Sequence, residues 1–261
     1  RVPKLGKYAD VEVGITTGAN PFFTVPLSTV QFYDLEKYAK PLVGRSVQVP
    51  SLIFTENDWK KNRIGEARTH LLTFPKMKDL NGSLGARDYI EFGEEQEINK
   101  GYKCRIREEW QIVPSQKLSD ALFIRRNHLY PKLIINEAQA YTTDTMHRVN
   151  IKKNVNINAF VASYYNSLSF AFAESSGRSH GGGVLELMPS EVENIMLPYH
   201  DSNEELVEII DKMIRSNKSI DEILEITNEK ILIEKYNFST DDVAMADKIW
   251  KKLSKRRLNR N

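Results

Sequence analysis

Ser175-Ser176-Gly177-Arg178-Ser179-His180-Gly181-Gly182-Gly183-Val184-Leu185-Glu186-Leu187-Met188-Pro189-Ser190-Glu191-Val192-Glu193 is the stretch around which this 261-residue chain is organised. Three successive glycines remove every Cβ from one turn of backbone, so the chain there can take positive φ and let another polymer approach closely. Arg178 and His180 supply hydrogen-bond donors on one side. On the other, Val184-Leu185-Glu186-Leu187 alternates like a short half-buried strand that stops at Pro189. Ser190-Glu191-Val192-Glu193 has the form of a capping box, with Ser190 at the N-cap. Taken alone, the run also fits a glycine-rich hairpin connection.

Upstream of it the pattern is rich in strands. Residues 11–25 read as strand, turn and strand, with Thr17-Gly18-Ala19-Asn20 as the turn. Residues 32–38 read as a short helix, 43–50 as extended chain, and Leu52-Ile53-Phe54 as a buried strand. Residues 57–70 mix Lys60, Lys61, Arg63 and Arg68 with few apolar positions and read as an exposed element, followed by a strand over 69–74. Residues 79–101, with their Gly, Asn, Glu and Lys, read as a solvated excursion. Strands are expected over 105–113, 118–125, 133–136 and 146–151. Residues 157–174 read as one helix, carrying Phe160, Val161, Tyr164, Leu168 and Phe172 at helical spacing. Downstream, capping boxes at Ser202 and Ser219 and an amphipathic stretch from about Asp241 predict helices that form an appended bundle.

Hydrophobic residues make up 41% and charged residues 28%, the composition of a folded globular protein. No apolar run approaches the roughly 18 residues of a membrane helix, and no signal-peptide pattern opens the chain. Cys104 is the only cysteine, which excludes an intramolecular disulfide and a cysteine-based zinc cluster and fits a reducing, cytoplasmic setting. The first residue, Arg1, leads us to expect a piece of a longer protein. Net charge is only +2, but it is segregated: residues 1–200 carry 25 basic and 22 acidic side chains, 201–247 carry 5 and 13, and 248–261 carry 7 and 0. The five histidines, His70, His128, His147, His180 and His200, include no i, i+4 pair for a metal. A nuclease would need a Pro-Asp followed by Asp/Glu-x-Lys to converge on Mg²⁺, and no such run is present.

The glycine run resembles the Arg-Ser-x-Gly-Gly-Gly-Val-Leu-x-Leu-x-Pro-Ser-Glu run of the C-terminal target-recognition region of adenine-N6 DNA methyltransferases of restriction-modification systems, the Asn-Pro-Pro-Tyr type. Two further stretches resemble the same family in the expected order. One is Gly14-Ile15-Thr16-Thr17-Gly18-Ala19-Asn20-Pro21-Phe22-Phe23. The other runs from Tyr102-Lys103-Cys104-Arg105-Ile106-Arg107 through Trp110 and Tyr130-Pro131-Lys132-Leu133-Ile134-Ile135-Asn136 to Thr143-Asp144-Thr145-Met146-His147-Arg148. The resemblance implies sequence-specific binding of double-stranded DNA by residues 1–198, a strand-rich target-recognition domain of mixed α/β (α+β) fold, followed by a helical segment over 199–261. It also implies a separate N-terminal catalytic domain that holds S-adenosylmethionine and flips the target adenine. No glycine-rich cofactor loop is recognisable, and Asn20-Pro21-Phe22-Phe23 lacks the second proline of the catalytic motif. The chain therefore reads as the recognition portion, with no catalytic residue, cofactor or metal of its own.

Basic and polar residues interleaved with aromatics supply the candidate DNA contacts. Lys103, Arg105 and Arg107 alternate beside Trp110, so a strand would project them from one face, where an arginine fork suits phosphate or guanine. Arg125, Arg126 and Lys132 form a second cluster. Thr143 and His147 form a third, joined by Thr17, Asn20 and Asn136 from the matched runs, and by Arg178, His180, Gly181, Gly182 and Gly183. A protein-interaction or specificity-subunit module, docking a partner through its acidic C-terminal helices, is the alternative reading.

Overall fold

The computed structural model describes residues 1–80 and 82–259. Its strands, in chain order, are β1 (Ala9–Val13), β2 (Thr24–Val25), β3 (Ala39–Val43), β4 (His70–Leu72), β5 (Ala121–Ile124), β6 (Arg126–Asn127), β7 (Leu133–Ile135), β8 (Tyr141–Thr142), β9 (Met146–Ile151), β10 (Arg178–His180) and β11 (Val184–Glu186). The helices are α1 (Asn20–Phe23), α2 (Leu27–Phe32), α3 (Glu56–Arg63), α4 (Leu84–Glu95), α5 (Tyr102–Arg105), α6 (Ile157–Tyr164), α7 (Ser167–Ser176), α8 (Pro189–Glu193), α9 (Leu206–Arg215), α10 (Ile220–Thr227) and α11 (Thr240–Leu258). The fold is mixed α/β.

A central antiparallel sheet, in the order β1-β9-β5-β7, is apolar on both faces. Because side chains alternate along a strand, Ala121, Phe123, Leu133, Ile135 and Val149 point one way, into a core completed by α6, α7 and the C-terminal helices. Leu122, Ile124, Ile134 and Met146 point the other way and meet Val43, Phe54 and Trp59. A second lobe, built on the sheet β2-β4-β3-β8, encloses its own core of Phe22, Phe23, Leu71, Leu72, Phe74 and Tyr89. A third, small sheet has the order β10-β11-β6.

Several expectations need correction. Residues 79–101 are no solvated excursion: Ala86, Tyr89, Ile90 and Gly93 form a buried stripe at helical spacing on α4. Residues 105–113 are not a strand, since 102–105 form α5 with Cys104 buried. The helix expected over 157–174 breaks at Tyr165 and Asn166, where the Asn166 side chain caps α7 by accepting from Ser169 N at 2.9 Å. Helix α8 starts two residues earlier than the Ser190 cap implied. Pro189 takes the first helical position, and Glu191 accepts from Met188 N at 2.7 Å. The helices after Pro198 share one core with the central sheet: Leu206, Ile210, Leu224, Leu232 and Trp250 are buried in the same cluster as Phe123 and Phe160.

Candidate nucleic-acid interface

The three matched runs, far apart in sequence, meet in one polar seam between the lobes. It begins where α5 packs on the first run: Arg107 Nη2 donates to the Thr17 carbonyl, and Thr17 Oγ1 donates to Asn20 Oδ1. Asn20 Nδ2 reaches Asp144 Oδ1 at 3.4 Å, and Arg125 Nη1 donates to the Asp144 carbonyl at 3.3 Å. Arg125 Nε then donates to Glu186 Oε1 at 2.9 Å.

Glu186 is the hub. Strand pairing sets Arg178 opposite Glu186 and Glu186 opposite Arg126, so one row crosses the whole small sheet. Arg126 Nε lies 3.2 Å from Glu186 Oε1, and His180 Nε2 lies 2.8 Å from Oε2. Burial alone would push this carboxyl up, but Arg125 and Arg126, with His180, hold it below the usual carboxylate range. Arg178 instead pairs with Glu191, at 3.0 Å. Two carboxylates thus steady three arginines and a histidine. Arg126 spends only its Nε on the protein and keeps 67% of its side chain in solvent. Its terminal nitrogens are the ones that can form a fork on phosphate or guanine.

The candidate residues divide between this exposed row and the interior. Lys103 and Arg105 are exposed on α5, about 200° apart around a helix rather than side by side on a strand. Arg107 turns inward over the Phe23 ring, 5.7 Å from its centroid, and Trp110 packs tilted against Phe22 while donating to Glu94. The row expected from these three cations is therefore absent. Asn136 is buried and consumed by the turn it closes, bonding Ser119 and both backbone groups of Ala140. Thr143 is buried, its hydroxyl 3.2 Å from that of Thr145. His147 is fully buried and its Nε2 donates to the Leu187 carbonyl at 2.7 Å. Burial pushes that imidazole down, so it is a neutral strut. Lys132 is half-buried 5.4 Å from the Tyr130 ring centroid, and burial pushes its ammonium down.

The three glycines do not act alike. Gly181 and Gly182 face open space, and Gly182 holds φ +70°. Gly183, at the same φ, lies against the chain's own α11: a Cβ there would meet Leu258 Cδ2 at 3.2 Å, and its carbonyl accepts from Arg257. Glu186 and Glu191, whose carboxylates hold the arginines, are not singled out by motif reading. A carboxylate on a strand flanked by arginine-bearing segments was the available signal.

The profile of the C-terminal domain of the Type II methyltransferase M.Eco57I matches residues 1–232. The chain belongs to this family. A curated member of the wider group, the Type II methyltransferase M.AccI of Acinetobacter calcoaceticus, is 25% identical over 243 residues, covering 88% of this chain and 44% of that protein. The chain therefore spans less than half the length of that relative. Two solved structures share the fold across 98% of the chain. The type IIG restriction endonuclease BpuSI does so with TM-score 0.57 and 12% identity over 31% of its length. The Type IIL restriction-modification enzyme MmeI, determined in complex with DNA, does so with TM-score 0.60 and 10% identity over 37% of its length.

The two glycines that follow β1 are closely packed by the protein itself. A Cβ on Gly14 would lie 2.0 Å from the Thr143 carbonyl oxygen, and one on Gly18 2.8 Å from Lys103 Cβ. No helix among the described residues is long and apolar enough to cross a membrane.

Proposed function

We propose that this chain is the DNA target-recognition region of a site-specific adenine-N6 DNA methyltransferase of a restriction-modification system, acting in the cytoplasm. It binds double-stranded DNA sequence-specifically and delivers the target adenine to an S-adenosylmethionine-binding catalytic domain N-terminal to it. The observation that carries this reading is the Glu186 row, where Arg126, Arg178 and His180 stand exposed on one small sheet beside an open glycine turn. A guanidinium anchored through Nε loses little further side-chain freedom when its terminal nitrogens bind a base edge.

Duplex binding by this chain, titrated against salt, tests the proposal. Log affinity should fall linearly with log salt, by a slope of about 0.9 per phosphate neutralised. Arg126→Ala should cost about 1–3 kcal/mol on the cognate site and relax one of its positions. Absence of duplex binding at low salt, or affinity indifferent to salt, would overturn it.

A further inference from the structure

The polar contacts of the seam continue past Thr145 into the second lobe, toward a basic surface outside all three matched runs. Thr145 Oγ1 donates to the Gly44 carbonyl at 2.9 Å. Gln48 Oε1 accepts from the backbone N–H groups of Gly44 and Arg45 at 2.8 and 2.9 Å, and Asn62 Nδ2 donates to the Gln48 carbonyl at 2.7 Å. These amides fasten the 44–48 turn to the C-terminal end of α3. Arg45 and Val47 stand on one side of the junction, and Lys61, Arg63 and Ile64 on the other.

Two properties of this surface call for an outside partner. Val47 is 79% and Ile64 84% exposed, each at the tip of one of the two joined segments. The carboxylates nearby are engaged elsewhere: Glu66 accepts from Ser28 Oγ at 2.9 Å, and Asp58 pairs with Arg215 at 2.8 Å. Lys60 is paired with Glu56, but among the described residues Arg45, Lys61, Arg63 and Arg68 have no carboxylate within 4.0 Å. Arg63 lies over the Trp59 ring, 5.5 Å from its centroid, with its buried Nε unpartnered. Behind it, burial and then the Arg63 charge push His70 down to about 4, so no competing charge forms there at neutral pH.

Uncompensated cations around an apolar tip match duplex DNA, whose phosphates take the cations and whose groove accepts an aliphatic wedge against base edges. We propose that the 44–48 turn and the 61–65 tip form a second DNA contact, with Arg45, Lys61 and Arg63 on phosphates and Ile64 in the groove. The inference rests on the reading of the Glu186 row as a DNA interface. It extends that interface across the seam onto the second lobe.

The test uses the whole chain and a cognate duplex carrying 2-aminopurine, with melting temperatures as folding controls. Arg45→Gln/Lys61→Gln alters two exposed side chains. It should weaken binding about tenfold and lower the salt slope by about 2, one phosphate each. Ile64→Ser should weaken binding with the slope unchanged, and should suppress the 2-aminopurine fluorescence rise that accompanies unstacking. Wild-type affinity, slope and fluorescence in both variants, with Arg126→Ala still impaired, would overturn this inference alone and assign the apolar tip to a protein partner. Failure of the unmodified chain to bind duplex would remove the interface reading and this extension with it.

Discussion

Glu186 bonds Arg125, Arg126 and His180 with two oxygens, and in doing so turns flexible cations into a fixed row. The neighbouring glycines show that identical residues can be required for different reasons. Gly182 has nothing within 4 Å of the position a Cβ would take, whereas Gly183 abuts Leu258 and His128. Both hold φ +70°, so an alanine at either pays about 1–2 kcal/mol for left-handed backbone. Gly183→Ala must additionally move α11. Thermal unfolding should therefore show Gly183→Ala melting several degrees below Gly182→Ala, at roughly 2–4 °C per kcal/mol for a chain of this size. Equal melting temperatures would mean that α11 yields freely. The glycine run was legible as a close-approach loop, but not which glycine meets the chain itself, because Leu258 lies 75 positions away. Asn136 and His147 illustrate the same limit: their donors suit DNA, yet backbone carbonyls inside the fold claim them.

Helix α11 shows at the scale of elements why the C-terminal segment is not an appendage. It packs along α7, and its last turn carries Arg257, which forms a buried ion pair with Glu174 at 2.6 Å, both side chains 2% exposed. Arg257 also donates to the carbonyls of His128 and Gly183, so one guanidinium ties α11 to α7, the β6–β7 connection and the glycine turn. Removing one partner strands a buried charge. Arg257→Ala should lower the urea unfolding free energy by about 3–5 kcal/mol, while Glu174→Leu/Arg257→Leu should restore much of the loss. A double variant no more stable than the single one would show that the carbonyl contacts matter more than the pair. The cap at Ser219 is readable in advance, its side chain accepting from Glu222 N, whereas the one expected at Ser202 is replaced by His200 capping a short 3-10 turn, with α9 beginning only at Leu206. Helix α4 is not readable in advance, since its glycines look like loop punctuation. Yet a Cβ on Gly93 would meet Phe22 at 2.5 Å and Trp110 at 2.6 Å, so the residue is there to let aromatics close. Likewise, alternation over 103–107 is real in the sequence, but burial of Cys104 and the pull of Arg107 toward Thr17 fold it into a helical turn.

Across the whole molecule, apolar cores lie on both faces of the central sheet and in the second lobe, and two imidazoles buried among them make stability depend on pH. His70 lies on β4 in the second lobe, 5% exposed, with Trp59 edge-on and Arg63 nearby. His147 lies on β9 at 0% exposure, facing Arg125, Glu186 and Glu191. Both imidazoles are harder to protonate folded than unfolded, so below the unfolded value near 6.5 the unfolded chain binds more protons. Stability is therefore full above pH 6.5 and declines as pH falls toward about 4, the folded value of His70. His70 by itself should account for about 3 kcal/mol across that window. Asp58 acts in the same direction at lower pH: burial raises it, but Arg215 and Thr55 hold it below the ordinary value, so its contribution is lost only as pH falls further. The difference between the chain and His70→Gln isolates the imidazole. Unfolding free energies at pH 7, 6, 5 and 4 should show the variant with a flatter profile. Parallel profiles would mean that opening of the second lobe lets His70 protonate in place, and that this lobe, with the proposed Ile64 contact, is looser than its packing implies.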